Sequence, residues 1–265
     1  MAVVFLVGGT GNQFFQYAAS SEGDTFSTLF LSKAACRLLG WQHHRQLLAF
    51  PKPGPAKHAA AILMLCLDLV LVRLGRSPLF TDFDLRSVTR APKYRHRISM
   101  GYFLHRPFNR DIAPLRRQFR RDPDAAPLPV AVHIRGGDAL KAHSEGWQLY
   151  GKLRPAYFRR ALKRAFRTGQ PPPKVTFFTD DPEYCRNVIE RIDLNIDYEI
   201  DLSGHDVMIQ GCLAADTFVA CNSSLSWWIV QLRGFGRHSI VPTPFMRHGN
   251  LAAPEFAEAL PVVLD

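Results

Sequence analysis

The regular alternation of short apolar runs and helical segments in the second half of this 265-residue chain is the feature that most limits its fold. The pattern predicts strands at residues 127–134, 174–178, 198–200, 217–221 and 239–241, and between them helices at 155–167, 206–214 and 225–232. A further helix is predicted after Asp181, whose residue type caps helices, with Pro182 as its first residue. Strands that alternate with single helices form a parallel sheet covered on both faces, so we predict an α/β fold.

The first half of the chain is less regular. Its pattern predicts a strand at 3–7, a glycine turn, a helix at 12–19 and a second strand at 27–31. A basic, proline-punctuated region follows, and its end at 116–124 has the composition of a surface linker. We therefore predict two domains, residues 1–125 and 126–265.

The most hydrophobic stretch of the chain, residues 59–72, contains Asp68 and is shorter than the ~20 residues that a membrane span needs. A buried core helix is the favoured interpretation, and an interfacial helix is the alternative. The first residues have no basic segment and too short an apolar run for a signal peptide. We expect a soluble, cytoplasmic protein.

The charge balance narrows the choice of partner. Lys and Arg number 33 and Asp and Glu number 23, which gives a formal net charge of +10. This excess of positive charge favours an anionic partner: a nucleotide, a phosphorylated carrier, a membrane surface or nucleic acid. The nucleic-acid hypothesis rests on charge alone, because the sequence contains no recognisable nucleic-acid-binding module. The five cysteines form no C-x-x-C pair, which suits a reducing compartment and predicts no zinc site.

The sequence Gly-Gly-Thr-Gly-Asn-Gln at 8–13 lies between a predicted strand and a predicted helix. Glycines let the backbone approach a ligand closely, and a helix N-terminus offers N–H groups to an anion. The segment is neither a P-loop nor a dinucleotide-binding fingerprint, because Phe14 occupies the position of the third glycine. A ligand-binding loop and a tight turn without a ligand both stay open.

Two strands of the second half end in charged residues, and ligands of open α/β sheets sit outside the carboxyl ends of strands. The first ends in His-Ile-Arg-Gly-Gly-Asp at 133–138, where Arg135 is able to bind a diphosphate bidentately; a structural ion pair with Asp138 is the alternative. The next ends in Thr-Asp-Asp at 179–181. Asp180 is able to accept two hydrogen bonds from a guanine edge, whereas a helix cap explains Asp181.

The last strand-to-helix junction of this kind carries Asn222, Ser223 and Ser224. Small hydroxyls at a helix N-terminus make a phosphate cradle, in which N–H groups, O–H groups and the helix dipole align. Simple N-capping by Ser224 is the alternative and is compatible with it. Two Asp-x-Asp pairs, at 82–84 and 122–124, are of the kind that holds a metal on a sugar nucleotide, but neither follows a convincing strand.

Taken in order, these segments make the chain resemble the α-1,2-fucosyltransferase family of bacteria and animals, a glycosyltransferase family 11-like group. The family carries Gly-Gly-x-Gly-Asn-Gln-x-Phe-Gln-Tyr-Ala, matched at 8–18, and His-x-Arg-Arg-Gly-Asp, matched at 133–138 with Gly136 in place of the second Arg. It then carries Ser/Thr-Asp-Asp, matched at 179–181, and Asn-Ser-Ser-Phe-Ser-Trp-Trp, matched at 222–228 with Leu225 for Phe. This chain has Ile229 where the family continues with Gly.

The resemblance implies a GT-B-like fold, in which an N-terminal acceptor-side domain and a C-terminal nucleotide-sugar-binding domain, both Rossmann-like, face a cleft. It implies inverting transfer of L-fucose from GDP-L-fucose to a galactoside hydroxyl, with an α-1,2 linkage, in the synthesis of surface polysaccharide or oligosaccharide and without a metal or other cofactor. Two alternatives are a sister enzyme that uses another nucleotide sugar and a degenerate member that binds a nucleotide without turnover. A lipid-linked acceptor would bring the protein into peripheral contact with the inner membrane face.

The resemblance also assigns site residues. Donor binding falls to Gly9, Gly11, Asn12, Gln13, Arg135, Asp180, Asp181, Asn222, Ser223 and Ser224, and the catalytic group consists of Arg135, Asp138 and His133. Inversion by direct displacement asks for a base near the acceptor hydroxyl, for which Asp138 and His133 are the candidates and His143 and Glu145 the alternatives. Arg154, Arg159 or an arginine of the first domain could replace the cation missing at Gly136.

Overall fold

A computed structural model of the chain describes residues 2–39, 51–76, 79, 81–84, 98–101, 110–119, 128–140, 153–166, 173–233, 238–243 and 259–263. The chain divides into two units, Met1–Ile112 and Ala113–Asp265, each built on one sheet of parallel strands with helices between them. The predicted α/β class with parallel sheets is therefore confirmed. The predicted domain boundary at 125/126 lies outside the described residues.

The first unit contains a four-stranded sheet in the order β2-β1-β4-β3, and every neighbouring pair is parallel. Its strands are β1 (Val3–Phe5), β2 (Thr25–Ser27), β3 (Thr81–Asp84) and β4 (Ile98–Gly101). Its helices are α1 (Thr10–Ala19), α2 (Lys33–Leu39) and α3 (Pro55–Arg73), with a 3₁₀ turn at Leu29–Leu31.

The strand predicted at 27–31 is wrong in its position. The strand β2 ends at Ser27, and a 3₁₀ turn covers most of the predicted span. The Ser27 hydroxyl accepts a hydrogen bond from the Leu29 backbone N–H at 3.3 Å and lies 2.8 Å from His58 Nε2. A serine side chain that bonds its own backbone two residues on favours a turn over a continuing strand.

Helix α3 contradicts the prediction of a buried core helix. Ala61, Leu65 and Asp68 are its buried residues, and the first two pack into a cluster with β1 residues including Val3 and Phe5. The opposite side is exposed. The helix is apolar all round, so periodicity could not distinguish the two sides.

By length and composition alone, α3 is the one helix in the described ranges that is apolar enough to cross a membrane, a test that core helices of soluble proteins also pass. Its single carboxylate faces the protein, where Asp68 Oδ1 accepts a hydrogen bond from the Leu79 N–H at 2.8 Å.

The second unit contains a six-stranded parallel sheet in the order β10-β9-β8-β5-β6-β7. Its strands are β5 (Val130–Ile134), β6 (Val175–Thr179), β7 (Tyr198–Asp201), β8 (Thr217–Val219), β9 (His238–Thr243) and β10 (Ala259–Val263). Its helices are α4 (Ala113–Gln118), α5 (Pro155–Ala165), α6 (Pro182–Ile192), α7 (His205–Ala214) and α8 (Ser224–Arg233). This is the order of doubly wound sheets, and its direction reverses between β5 and β8.

The strands β5 and β6 are buried along their whole length, as expected for central strands of a doubly covered parallel sheet. One face packs on the apolar sides of α5 and α6, which contribute Tyr157, Leu162 and Val188 among others. Helix α7 packs close to Phe178 of β6, because a Cβ atom on Gly211 would lie 2.5 Å from the ring. Helices therefore hold the central strands in place and leave their carboxyl ends as the available edge.

Candidate functional site

The carboxyl ends of β5, β6 and β8 bring together residues from three predicted motifs. Ile134 of β5 pairs with Thr179 of β6, so Arg135 and Asp180 leave the two strands side by side. On its other side β5 pairs with β8, which is followed by the Asn-Ser-Ser segment at 222–224. The sheet reverses its winding between these two strands, and ligands of doubly wound folds bind at such a point. We call this group of loops the switch-point edge.

The loop between β8 and α8 is held by hydrogen bonds on both sides. The Ser223 hydroxyl accepts from the Ser226 backbone N–H at 3.1 Å, so Ser223 caps α8 and the capping alternative that used Ser224 is wrong. Below the loop, the buried Tyr157 hydroxyl donates to the Ala220 carbonyl at 2.6 Å. Asn222, Ser223 and Ser224 are all buried, and the first turn of α8 starts at the switch-point edge. A helix start held this way presents backbone N–H groups to an anion.

His133 joins β5 to that loop from beneath. Its Nδ1 lies 2.7 Å from the Ser226 hydroxyl and 3.4 Å from the Cys221 sulfur. The Ser226 hydroxyl also accepts from the Cys221 backbone N–H at 3.2 Å. His133 is buried and bonded to protein groups, which is the environment of a residue that positions the loop. The role of His133 as a candidate base stays a prediction.

Three buried cysteines of the second unit have shifted pKa values. Burial raises the pKa of the Cys185 thiol to about 12, and burial also raises the pKa of Cys212. Burial acts on Cys221 in the same sense, but the adjacent His133 outweighs it and lowers the Cys221 pKa. In turn, burial disfavours the charged His133 imidazole, yet the Cys221 thiolate and Asp180 raise its pKa. A polar cluster of Cys221, His133 and Ser226 therefore supports the switch-point edge. The sequence analysis did not predict this cluster.

The loops after β5 and β6 are tied together at Gly136. The Gly136 backbone N–H donates to Asp180 Oδ1 at 2.7 Å. A Cβ atom at position 136 would lie 2.2 Å from the Cβ of Asp181. This distance is a steric clash, and the backbone of one of the two loops would have to move to remove it. Asp181 itself accepts from the Tyr184 N–H at 3.0 Å, which confirms the predicted helix cap, and donor binding by Asp181 stays a prediction. The family arginine does not fit this loop geometry.

Arg135 brings positive charge to the switch-point edge, and His205 interacts electrostatically with the residues there. Arg135 is partly buried, and its positive charge partly offsets the Cys221 thiolate and Asp180, which raise the pKa of His133. Partial desolvation of the imidazole lowers the pKa of His205, the charges of His133 and Arg135 lower it further, and Asp180 opposes them. His205 starts α7 and is exposed. Sequence reasoning missed it, although its position after the third strand of the sheet was a usable signal.

Some of the candidate bases lie outside the residues that the structure describes, whereas the two arginines predicted to replace the missing cation lie within them. Asp138 lies in a 3₁₀ turn at Gly137–Leu140, but its side chain, like the whole of His143 and Glu145, is outside the described residues. Arg154 occupies the N-cap position of α5, and Arg159 lies 3.7 Å from Asp193 at the surface. Neither arginine has a described contact with the switch-point edge.

In the first unit, side chains hydrogen-bond to the backbone of the glycine loop. Gly8 has a φ of +76°, which favours glycine, and Gly9 is the N-cap of α1 without a side-chain cap. The Gln13 side-chain amide donates to the Gly8 carbonyl at 3.2 Å, and the Gln16 amide donates to the Val7 carbonyl at 2.9 Å. Both glutamines are buried. Donor binding by Gly9, Gly11, Asn12 and Gln13 stays a prediction of the resemblance, and the function proposed below does not use it.

Within the described ranges, no three His, Cys, Asp or Glu side chains come together as metal ligands. The pair at 82–84 lies on β3, where the side chains are outside the description, and the pair at 122–124 lies outside it entirely.

Comparison with known proteins decides the family. The family model described as Glycosyl transferase family 11 matches residues 88–252, more than half of the chain. The chain belongs to glycosyl transferase family 11. Family 11 members are glycosyltransferases of the fucosyltransferase class, which implies a nucleotide-sugar donor and a glycan acceptor. The family 11 match contains the motifs at 133–138, 179–181 and 222–228 but not the glycine loop. No curated protein and no solved structure matches the chain.

Proposed function

We propose that this family 11 protein transfers L-fucose from GDP-L-fucose to a galactoside hydroxyl, with inversion and formation of an α-1,2 linkage. The observation that carries the proposal is the arrangement at the switch-point edge, where Arg135 follows β5 and the start of α8 follows the neighbouring strand β8. A cation and a helix N-terminus on adjacent strands are the groups that a diphosphate needs.

The proposed reaction breaks the bond between the fucosyl anomeric carbon and the β-phosphate oxygen of GDP. As this bond lengthens, negative charge grows on the phosphate and the sugar acquires oxocarbenium character. Arg135 and the N–H groups of α8 stabilise the departing diphosphate. The acceptor oxygen forms the new bond from the opposite face, and its proton leaves to a base.

Asp138 is the base that we propose, and His143 and Glu145 are the alternatives on the same loop. His133 supports the reaction through Ser226 and the β8–α8 loop, in keeping with its buried position. Asn222, Ser223, Ser224 and Arg135 form the proposed donor site in the second unit, and Asp180 contributes through the oxygen that does not bond Gly136. We propose that the reaction uses no metal.

We propose a GT-B arrangement, with residues 1–125 on the acceptor side and residues 126–265 on the donor side. The support is that each unit carries its own parallel sheet. A GT-B enzyme places the donor outside the carboxyl ends of strands in one domain and leaves the other domain for the acceptor.

A second candidate function is nucleotide binding without turnover. Gly136 favours it, because the loop leaves no space for the arginine of the family motif and one cation near the diphosphate is missing. A sister transferase that uses a different nucleotide sugar is a third possibility that the same assay separates.

The test incubates the purified protein with GDP-fucose and a panel of galactosides, with and without EDTA, and measures released GDP and fucosylated product. The proposal predicts an α-1,2-linked product whose yield EDTA does not change. Stabilisation by GDP in a thermal shift without any product would favour the binding function. Product from another nucleotide sugar would favour the sister enzyme, and neither binding nor transfer would contradict all three.

A further inference from the structure

Helix α3 presents a continuous apolar surface to solvent. Leu63, Leu67, Val70 and Leu74 recur at intervals of four, three and four residues, so they lie on one side of the helix and its C-terminal cap. Their exposed fractions are large, from 47% at Leu67 to 72% at Leu63. We call these four residues the α3 face. Single exposed leucines are ordinary, but four aligned ones mark an interaction surface.

The opposite side of α3 belongs to the core of the first unit. Ala61 and Leu65 pack with Val3, Phe5 and Val7, and the Asp68 carboxylate accepts the Leu79 N–H. A helix that crossed a membrane would lose all of these contacts and would place the Asp68 carboxylate in hydrocarbon, at a high cost. The packing therefore argues against a membrane span for α3.

The charges around the α3 face indicate what covers it. The helix has no carboxylate other than the buried Asp68, and cationic residues lie near both of its ends, with Lys52 and Lys57 near the start and Arg73 and Arg76 near the end. A second copy of this chain, at a formal +10, would meet the same positive charge. An anionic lipid surface offers hydrocarbon to the leucines and phosphate to the cations.

We propose that the α3 face docks the protein, in the plane of the interface, on a bilayer that contains anionic lipid. The surface goes beyond the transfer reaction proposed above, since it lies in the first unit and uses none of the donor-site residues. Docking would hold the enzyme at the surface where lipid-linked glycans lie, and it does not depend on whether the donor is GDP-fucose.

Cys66 supplies a probe on the helix itself. All five cysteines lie in the described part of the chain, and Cys66 alone is exposed. A polarity-sensitive fluorophore on Cys66 of the full chain is mixed with vesicles of phosphatidylcholine, alone or with phosphatidylglycerol. We expect a blue shift and co-sedimentation with the anionic vesicles, and little of either with the neutral ones.

A matched pair of double variants tests the surface. L63Q/V70Q removes apolar side chains from the α3 face, and L202Q/V207Q removes a leucine and a valine of similar exposure from the second unit. We expect L63Q/V70Q to weaken vesicle binding roughly tenfold or more, because each lost side chain removes apolar area from the interface. L202Q/V207Q should bind as the unmodified protein does. Circular dichroism confirms that both variants are folded.

Four results would overturn the proposal. The first two are absence of binding to anionic vesicles and binding by L63Q/V70Q that equals that of the unmodified protein. The third is retention of the protein in vesicles after alkaline carbonate extraction, which would indicate a membrane span. The fourth is a dimer that L63Q/V70Q dissociates, which would indicate that a second copy covers the α3 face. Transfer to a soluble galactoside, measured without vesicles, reports on the proposed reaction independently of all four.

Discussion

Two loops that follow the first strand of a parallel sheet behave differently in the two units. After β1, the glycine loop is held by Gln13 and Gln16, whose amides bond the loop backbone. After β5, the loop carries Arg135 to the switch-point edge, and its Gly136 N–H is held by Asp180 of the neighbouring loop. The side chains of the first loop are used for its own structure, whereas the second keeps a cation at the edge.

The difference teaches that a glycine-rich strand-to-helix turn is not by itself a binding site. What distinguishes the second unit is that the neighbouring strands β6 and β8 contribute Asp180 and the capped start of α8 at the same edge. In the proposed function, charge and helix N-terminus act on one ligand. The two kinds of loop should therefore respond differently to substitution.

Replacing Arg135 should have the largest effect. Loss of a preorganised charge at the leaving group costs roughly 10²-fold in kcat, so Arg135→Gln should lower kcat by that order. Arg159→Gln, which removes only a surface pair with Asp193, is the matched control. Steady-state kinetics of the two variants decide the point. Equal kinetics for both would mean that Arg135 does not contact the donor.

Adding a side chain at Gly136 should destabilise the second unit. Gly136→Ala places a Cβ against Asp181 and should cost about 1–3 kcal/mol, as overpacked positions do, and Gly136→Arg should cost at least as much. Gly204→Ala is the control, because nothing lies within 4 Å of a Cβ there. Urea unfolding measures the difference. A stable Gly136→Arg variant with raised activity would show instead that the loop opens to accept the family arginine.

Removing Gln16 should test the structural role of the first loop. Its side chain bonds both the N–H and the carbonyl of Val7, so Gln16→Ala leaves buried backbone groups unpaired and should cost about 1–3 kcal/mol. The affinity for GDP, measured by calorimetry, should not change. A loss of GDP affinity that exceeds the loss of stability would place the glycine loop in the donor site after all.

Ionisation of Cys221 should be the smallest effect to measure. Its pKa is lowered in the folded protein, so the thiolate stabilises the fold above the ordinary thiol value, and this contribution is lost as the pH falls through the lowered pKa. The stability difference between the unmodified protein and Cys221→Ala should therefore grow with pH. Thiolate absorbance should appear at lower pH than for Cys185, and His133→Gln should remove this early step. If Cys221 ionised at the same pH in His133→Gln as in the unmodified protein, the pairing of Cys221 with His133 would be contradicted.

The sequence predicted local structure correctly where a single residue decides that structure. Asp181 caps α6 and Pro182 begins it, as their residue types predict. Apolar runs located the strands β5 and β6 within a few residues because both are fully buried. At Ser27 the local signal was overlooked, since the hydroxyl that ends β2 was counted within the strand.

What sequence could not supply is the neighbour of each strand. The meeting of Cys221 with His133, and of Asp180 with Gly136, depends on the order β8-β5-β6, which periodicity does not contain. The exposure of α3 was missed for a related reason, since a helix that is apolar on every side gives no indication of which side is buried.

Backbone hydrogen exchange with and without GDP tests the central claim most directly. If the switch-point edge holds the diphosphate, GDP should slow exchange at the amides of Gly136 and Gly137 and at the start of α8, and should leave the glycine loop of the first unit unchanged. Unchanged exchange at these amides, with GDP demonstrably bound, would contradict the claim.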